Sequence, residues 1–209
     1  MKQKRILILG ASSGYGLSIT KNFLKNGHSV RACSRHATSS HNLTDLLTEY
    51  PRNLKIDDLN VLSQLEIETF FNSLKSGKVF FDEIYYTVGK SQTTYYSFPL
   101  SVVDKKYLFD MLDINAYCCL SVLKSSLEVI DNTNYPIFVF FSSTAATSSK
   151  PGHGVYNVSK LLLNGLMMNY SSELKERGLP LRVFGVDPWE AKTRMNKDSD
   201  INPDHILPI

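Results

Sequence analysis

Short apolar runs alternate along this chain with longer stretches whose apolar positions recur every three or four residues. Ile6–Leu9 is a continuous apolar run, the pattern of a parallel strand covered on both faces. Further strands are expected at 29–33, 54–56, from Glu83, at 137–141 and at 181–186. Between them lie helical patterns. Leu17, Phe23 and Leu24 mark the first, with Gly27 as its stop, and Leu43, Leu46, Leu47 and Tyr50 mark the second, over 39–50, ended by Pro51. Leu65, Phe70, Phe71 and Leu74 give the core side of a third over 61–75, closed by Gly77. The longest helix is expected from about Lys105 to Ile130, with Leu108, Met111, Leu112, Cys119, Val122 and Leu123 on its apolar face. Asn115 shares that face, where a buried amide costs a few kcal/mol unless it is bonded. A last helix opens at Val155 and carries Leu163, Met167, Tyr170 and Leu174.

Strands alternating with helices across short turns predict a single α/β domain over 1–209: a three-layer α/β/α sandwich around a doubly wound parallel sheet. Right-handed crossovers and a ligand at the first strand's end set the strand order as 3-2-1-4-5-6. Twenty-one residues follow Pro188, so a seventh strand is not expected and the sixth is expected as an edge.

Composition narrows the picture. The net charge of +3 is small and the Lys and Arg residues are scattered, which does not suggest nucleic acid. No run reaches the length of a membrane span, and the apolar run after the basic start is too short for a signal peptide. Cys33 lies in a strand pattern, while Cys118 and Cys119 are adjacent in a helical one. That spacing suggests neither a disulfide framework nor a metal site, and a reducing cytoplasm is expected.

The candidate chemistry begins where the first strand ends. Gly10, Gly14 and Gly16 break the apolar run, and an amphipathic helix follows at once, so backbone N–H groups can meet a pyrophosphate closely at a helix N-terminus. Ser12, Ser13 and Tyr15 lie within the same turn. At the end of the second strand, Ser34 and Arg35 stand where an NAD site places an acidic residue. A guanidinium and a hydroxyl suit a ribose 2′-phosphate instead, so NADP(H) is expected over NAD(H). The fifth strand delivers Ser142, Ser143 and Thr144 at its carboxyl end, where ligands bind in open α/β sheets. Tyr156 and Lys160, four apart, share one helix face, and a Lys in line with a buried stripe is unusual unless it is paired or snorkels.

Gly-x-x-x-Gly-x-Gly, with Asn115, Ser143, Tyr156 and Lys160 in order, resembles the short-chain dehydrogenase/reductase family. Thirteen residues separate Ser143 from Tyr156 and forty-one separate Asn115 from it, and the likeness runs from about Arg5 to Thr193. The resemblance implies that Tyr156 is the general acid/base and that Lys160 brings down its pKa and bonds the nicotinamide ribose. It also implies that Ser143 holds the substrate oxygen and Asn115 a relay water. Asp58 and Leu59 match the family's adenine contact, Val88 and Gly89 its adenosine ribose turn, and Pro188 with Thr193 its nicotinamide carboxamide loop. Two departures stand out: Tyr86-Thr87-Val88-Gly89 replaces Asn-Asn-Ala-Gly, and Trp189 replaces a glycine. Tyr95, Tyr96 and Phe98 lie in a loop where either substrate contact or packing is consistent with their types.

Two functions therefore stay open. One is an NADP(H)-dependent oxidoreductase interconverting a small-molecule carbonyl and its alcohol. The alternative is a catalytically weak or inactive cofactor-binding regulatory or scaffolding protein. The long helices 105–130 and 155–177 leave a homo-oligomer open as well.

Overall fold

In a computed structural model, residues 2–91, 99–132, 135–149, 151–188 and 203 are described. The strands are β1 (Arg5–Leu9), β2 (Ser29–Ser34), β3 (Leu54–Asp58), β4 (Glu83–Tyr86), β5 (Ile137–Phe141) and β6 (Arg182–Val186). They form one parallel sheet in the order β3-β2-β1-β4-β5-β6. The helices are α1 (Gly14–Lys25), α2 (His41–Glu49), α3 (Gln64–Ser76), α4 (Lys105–Leu112), α5 (Cys118–Ser126) and α6 (Gly154–Glu176).

The alternation of side chains along the strands divides the core in two. Ile6 and Ile8 join Val30, Ala32, Tyr85 and Val139 against α1 and α2, while Leu7 and Leu9 join Ile84, Tyr86, Phe138 and Phe140 against α3, α5 and α6. Both faces of β1 are thus covered, which is why its run is apolar without interruption. Cys33, Cys118 and Cys119 are free thiols buried in this packing. Among the described residues no helix is long and apolar enough to cross a membrane.

Three expectations are corrected. The stretch expected as one helix from 105 to 130 ends at Ser126 and is interrupted by a π-turn over Asp113–Tyr117, where the Cys118 N–H bonds the Asp113 carbonyl five residues back. The longest helix is instead α6, with twenty-three residues. Leu65, expected in the core, is 73% exposed. Ser63 caps α3 by accepting the Glu66 N–H at 3.3 Å, which starts the helix after Val61 and turns Leu65 outward. Tyr95, Tyr96 and Phe98 lie outside the described residues, as do Trp189 and Thr193.

Candidate active site

Gly10 and Gly14 adopt φ of +91° and +55°, which lets the chain leave β1 and enter α1 in a tight turn. Gly16 serves a different need. A Cβ there would lie 2.3 Å from the Gly10 carbonyl oxygen and 2.5 Å from Thr87 Oγ1, so only glycine lets α1 pack onto its own turn. Thr87 completes this contact: its N–H and hydroxyl both donate to the Leu9 carbonyl, at 2.9 and 2.8 Å. The sequence carries no signal for that role beyond the departure of Tyr86-Thr87-Val88 from the family pattern.

The turn opens into a cavity of about 700 Å³ at the carboxyl ends of β2, β1 and β4, within the size range of small-molecule sites. Of the expected cofactor residues, Gly10, Ser12, Ser13, Gly14, Tyr15, Ser34, Arg35, Leu59, Val88 and Gly89 line it. Gly16 stands behind the wall, in the packing just described. No Asp or Glu lines the cavity among the described residues, and α1 has no acidic residue in its first turn. The Ser34 hydroxyl oxygen is buried there without a hydrogen-bond partner among the described residues. A wall of this make-up fits a ligand with several negative charges.

Asp58, expected at the adenine, is not among the residues that line the cavity. It accepts the Thr38 N–H at 2.9 Å and the Thr38 hydroxyl at 2.7 Å, which hold its pKa below the usual carboxylate value. Neighbouring Asp57 is taken by Arg31 in a bidentate pair at 2.6 and 2.7 Å. Asp58 therefore fastens the loop that presents Arg35.

The four expected catalytic residues lie beyond the cavity wall and are joined to it through Lys90. The Asn115 side chain closes a two-way bond with the Lys90 backbone, Lys90 N–H to Oδ1 at 2.7 Å and Nδ2 to the Lys90 carbonyl at 2.8 Å. Its second amide hydrogen goes to Ser159 Oγ at 2.9 Å, and Ser159 in turn donates to the Tyr156 carbonyl at 2.7 Å. Asn115 is fully buried within the π-turn. With both amide hydrogens committed, a relay water would rest on other groups of this turn.

Two serines follow β5 and part ways. Ser142 donates to Asn164 Oδ1 at 2.7 Å, whereas Ser143 accepts the Ala145 N–H at 3.2 Å and is hydrogen-bonded to Tyr156. Burial pushes the Tyr156 phenol up; the bond to Ser143 pulls it back and the Asp187 carboxylate adds to the rise. Lys160, 4% exposed, donates to the Phe141 carbonyl at 2.8 Å, and its ammonium lies 5.8 Å from the centre of the Tyr156 ring. Burial lowers its pKa to about 8, partly offset by Cys119 and Asp187. Burial dominates, so the phenol is raised from its ordinary value even with this ammonium near its ring. Asp187, next to Pro188, is itself raised by burial, against the Thr144 N–H and Lys160, which pull it down. Nothing in the sequence pattern singled it out.

Comparison with known proteins gives a consistent result. The model of the short chain dehydrogenase family matches residues 4–204. The chain is 27% identical over 183 residues to the NADP-dependent 3-hydroxy acid dehydrogenase YdfG of Shigella flexneri, covering 88% of this chain and 71% of that protein. Its fold matches a carbonyl reductase of Pseudomonas aeruginosa PAO1 in complex with NADP, with a TM-score of 0.83 and 22% identity over 97% of this chain and 86% of that one. It also matches an alcohol dehydrogenase of Thermococcus sibiricus complexed with 5-hydroxy-NADP, with a TM-score of 0.84 and 17% identity over 98% and 87% of the two chains. The glycine turn, the six-stranded order and the match across 4–204 together make this chain a member of the short-chain dehydrogenase family.

Proposed function

We propose that the protein is an NADP(H)-dependent oxidoreductase interconverting a carbonyl and an alcohol. The observation that carries this reading is the cavity with Arg35 and Ser34 on its wall, which no carboxylate lines among the described residues, tied through Lys90 and Asn115 to the Ser143–Tyr156–Lys160 group. Gly10–Gly16 would seat the pyrophosphate, and Ser34 with Arg35 the 2′-phosphate. Leu59, Val88 and Gly89 would take the adenosine, and Pro188 and Thr193 the carboxamide side. The chemistry a bound nicotinamide supplies is hydride transfer.

The chain's own residues supply the proton. Tyr156, a phenol at neutral pH, donates to the substrate oxygen as charge builds there, and Ser143 orients that oxygen. Lys160 fixes the end of β5 through Phe141 and places positive charge near the ring, which favours the phenolate left behind. Asn115 locks Lys90 and α6 so that the group keeps its spacing.

A panel of aldehydes, ketones and 3-oxo acids, read as carbonyl-dependent loss of NADPH absorbance, tests this. NADPH binding with no turnover across the panel would leave the binding-protein alternative and refute the enzyme. Self-association is supported by the exposure of Phe109 on α4, Tyr117 in the π-turn, and Leu161 and Met168 on α6. Light scattering should give a mass at least twice the 23.6 kDa of the chain; a monomer at tens of micromolar would refute it.

A further inference from the structure

Asp187 follows β6 directly, and the sheet register decides what it meets. Phe141 pairs with Val186, and the Ser142 N–H bonds the Val186 carbonyl at 2.7 Å. Gly185 lets the two strands close this far, since a Cβ there would lie 2.6 Å from the Phe140 ring. Asp187 therefore stands beside the Ser142–Ser143 corner and beside the Phe141 carbonyl that takes the Lys160 ammonium at 2.8 Å. A short 3-10 turn, Thr144–Ala146, begins at that corner, and its leading N–H groups need acceptors. Ser143 Oγ takes the Ala145 N–H at 3.2 Å, and the Asp187 carboxylate takes the Thr144 N–H. The carboxylate is exposed, whereas Lys160 is buried.

Resting on the oxidoreductase reading, we infer that Asp187 is a positioning residue of the reaction: through the Thr144 N–H it holds the turn that carries Ser143, and its negative charge keeps Lys160 an ammonium beside Tyr156. An ammonium taken out of water sheds its proton more readily unless an anion is near. Among the described residues, the titratable groups that act on Lys160 are Cys119 from α5 and Asp187 after β6. Burial pushes the Cys119 thiol up, so it stays neutral at working pH and Asp187 supplies the anion. Its pull on Lys160 crosses space, because the hydrogen bond of the ammonium goes to the Phe141 carbonyl. One side of Asp187 stays in water, so its own ionisation costs the fold little. The same charge faces Tyr156 on α6 and opposes ionisation of the phenol.

The pH profile of kcat at saturating NADPH, taken with whichever carbonyl of the panel turns over fastest, tests this. Wild type should lose activity on the alkaline side as Lys160 gives up its proton at a pKa of about 8. Asp187→Asn still accepts the Thr144 N–H but carries no charge, so it should move this limb down by about one pH unit, the low end for an opposite charge close by. Asp187→Ala lacks the acceptor as well and should add a roughly two- to tenfold loss of kcat at the pH optimum, the worth of one hydrogen bond. Urea melts read the charge without turnover: stability should begin to rise with pH about one unit lower in Asp187→Asn than in wild type. A wild-type limb or wild-type melts in Asp187→Asn would overturn the role of the charge, and equal optima in Asp187→Ala and Asp187→Asn would overturn the hold on Ser143. If no carbonyl turns over, the oxidoreductase reading fails, while the melts still decide whether Asp187 keeps Lys160 charged.

Discussion

Arg35 stands exposed on the cavity wall, whereas beyond that wall Lys160 is 4% exposed and spends a hydrogen bond on the Phe141 carbonyl. The first arrangement suits recognition. Exposed cations cost the fold little and act on a ligand that arrives charged, at the expense of screening by salt. The second suits chemistry. An ammonium taken out of water costs stability, yet it acts at short range in a low dielectric on the group that must change charge. Cofactor choice and proton transfer are therefore served by cations of opposite burial, and each can be perturbed alone.

The catalytic end should show the largest effect. Tyr156→Phe deletes the acid and leaves the ring packing, so kcat should fall about 10²- to 10⁴-fold. NADPH affinity should stay at the wild-type value, because only the acid hydroxyl is removed. Steady-state kinetics beside a direct NADPH titration measure the two. An unchanged kcat would remove Tyr156 from the mechanism, and a parallel loss of affinity would blur the division between the two ends.

Burial of Lys160 should appear in the pH dependence of stability. Its pKa falls from 10.5 in the unfolded chain to about 8 in the fold. Between those values the unfolded state binds more protons, so this group's contribution to stability rises with pH from about 8 to 10.5 and is lost as pH falls through 8. At about 1.4 kcal/mol per pK unit the swing is roughly 3 kcal/mol. Lys160→Met should lack it, so urea melts of wild type and variant should draw apart or together by about that amount across pH 8 to 10.5. Parallel stability curves would mean that the ammonium stays solvated. Turnover of the variant should fall as well, which separates its catalytic role from its cost to the fold.

Much of this architecture was legible because it is local. The unbroken apolar run of β1, the glycines after it, and Tyr156 and Lys160 on one helix face all follow from short-range spacing. What escaped depends on partners far apart in sequence. Two adjacent aspartates look alike on paper, but β3 sends Asp57 to Arg31 and Asp58 to Thr38, twenty residues back. The π-turn is hidden for a related reason: the apolar spacing runs through 105–126 unbroken, while the bond that opens the helix is made by backbone, and Asn115 is held there by Lys90 and Ser159. Leu65 was misplaced by the same periodicity, since a cap at Ser63 rotates the first turn of α3 regardless of its apolar positions. Thr87 had no pattern to announce it, because its role appears only when α1 packs against β4.

The smallest of the three effects belongs to the exposed end, and it is the most selective. Arg35 offers charged hydrogen bonds that a 2′-phosphate accepts and a 2′-hydroxyl does not, each contributing about 1.5–3 kcal/mol before screening. Arg35→Ala should therefore weaken NADPH binding by roughly ten- to a hundredfold and leave NADH nearly unchanged. The loss should shrink as salt is raised, since the guanidinium is exposed. Fluorescence titration of both cofactors at two ionic strengths reads all of this in one experiment. A variant that loses both cofactors equally would make Arg35 a prop of the loop held by Asp58, and a loss that ignores salt would place its charge out of solvent, as Lys160 is. Either result would erase the contrast between an exposed cation that selects and a buried one that reacts.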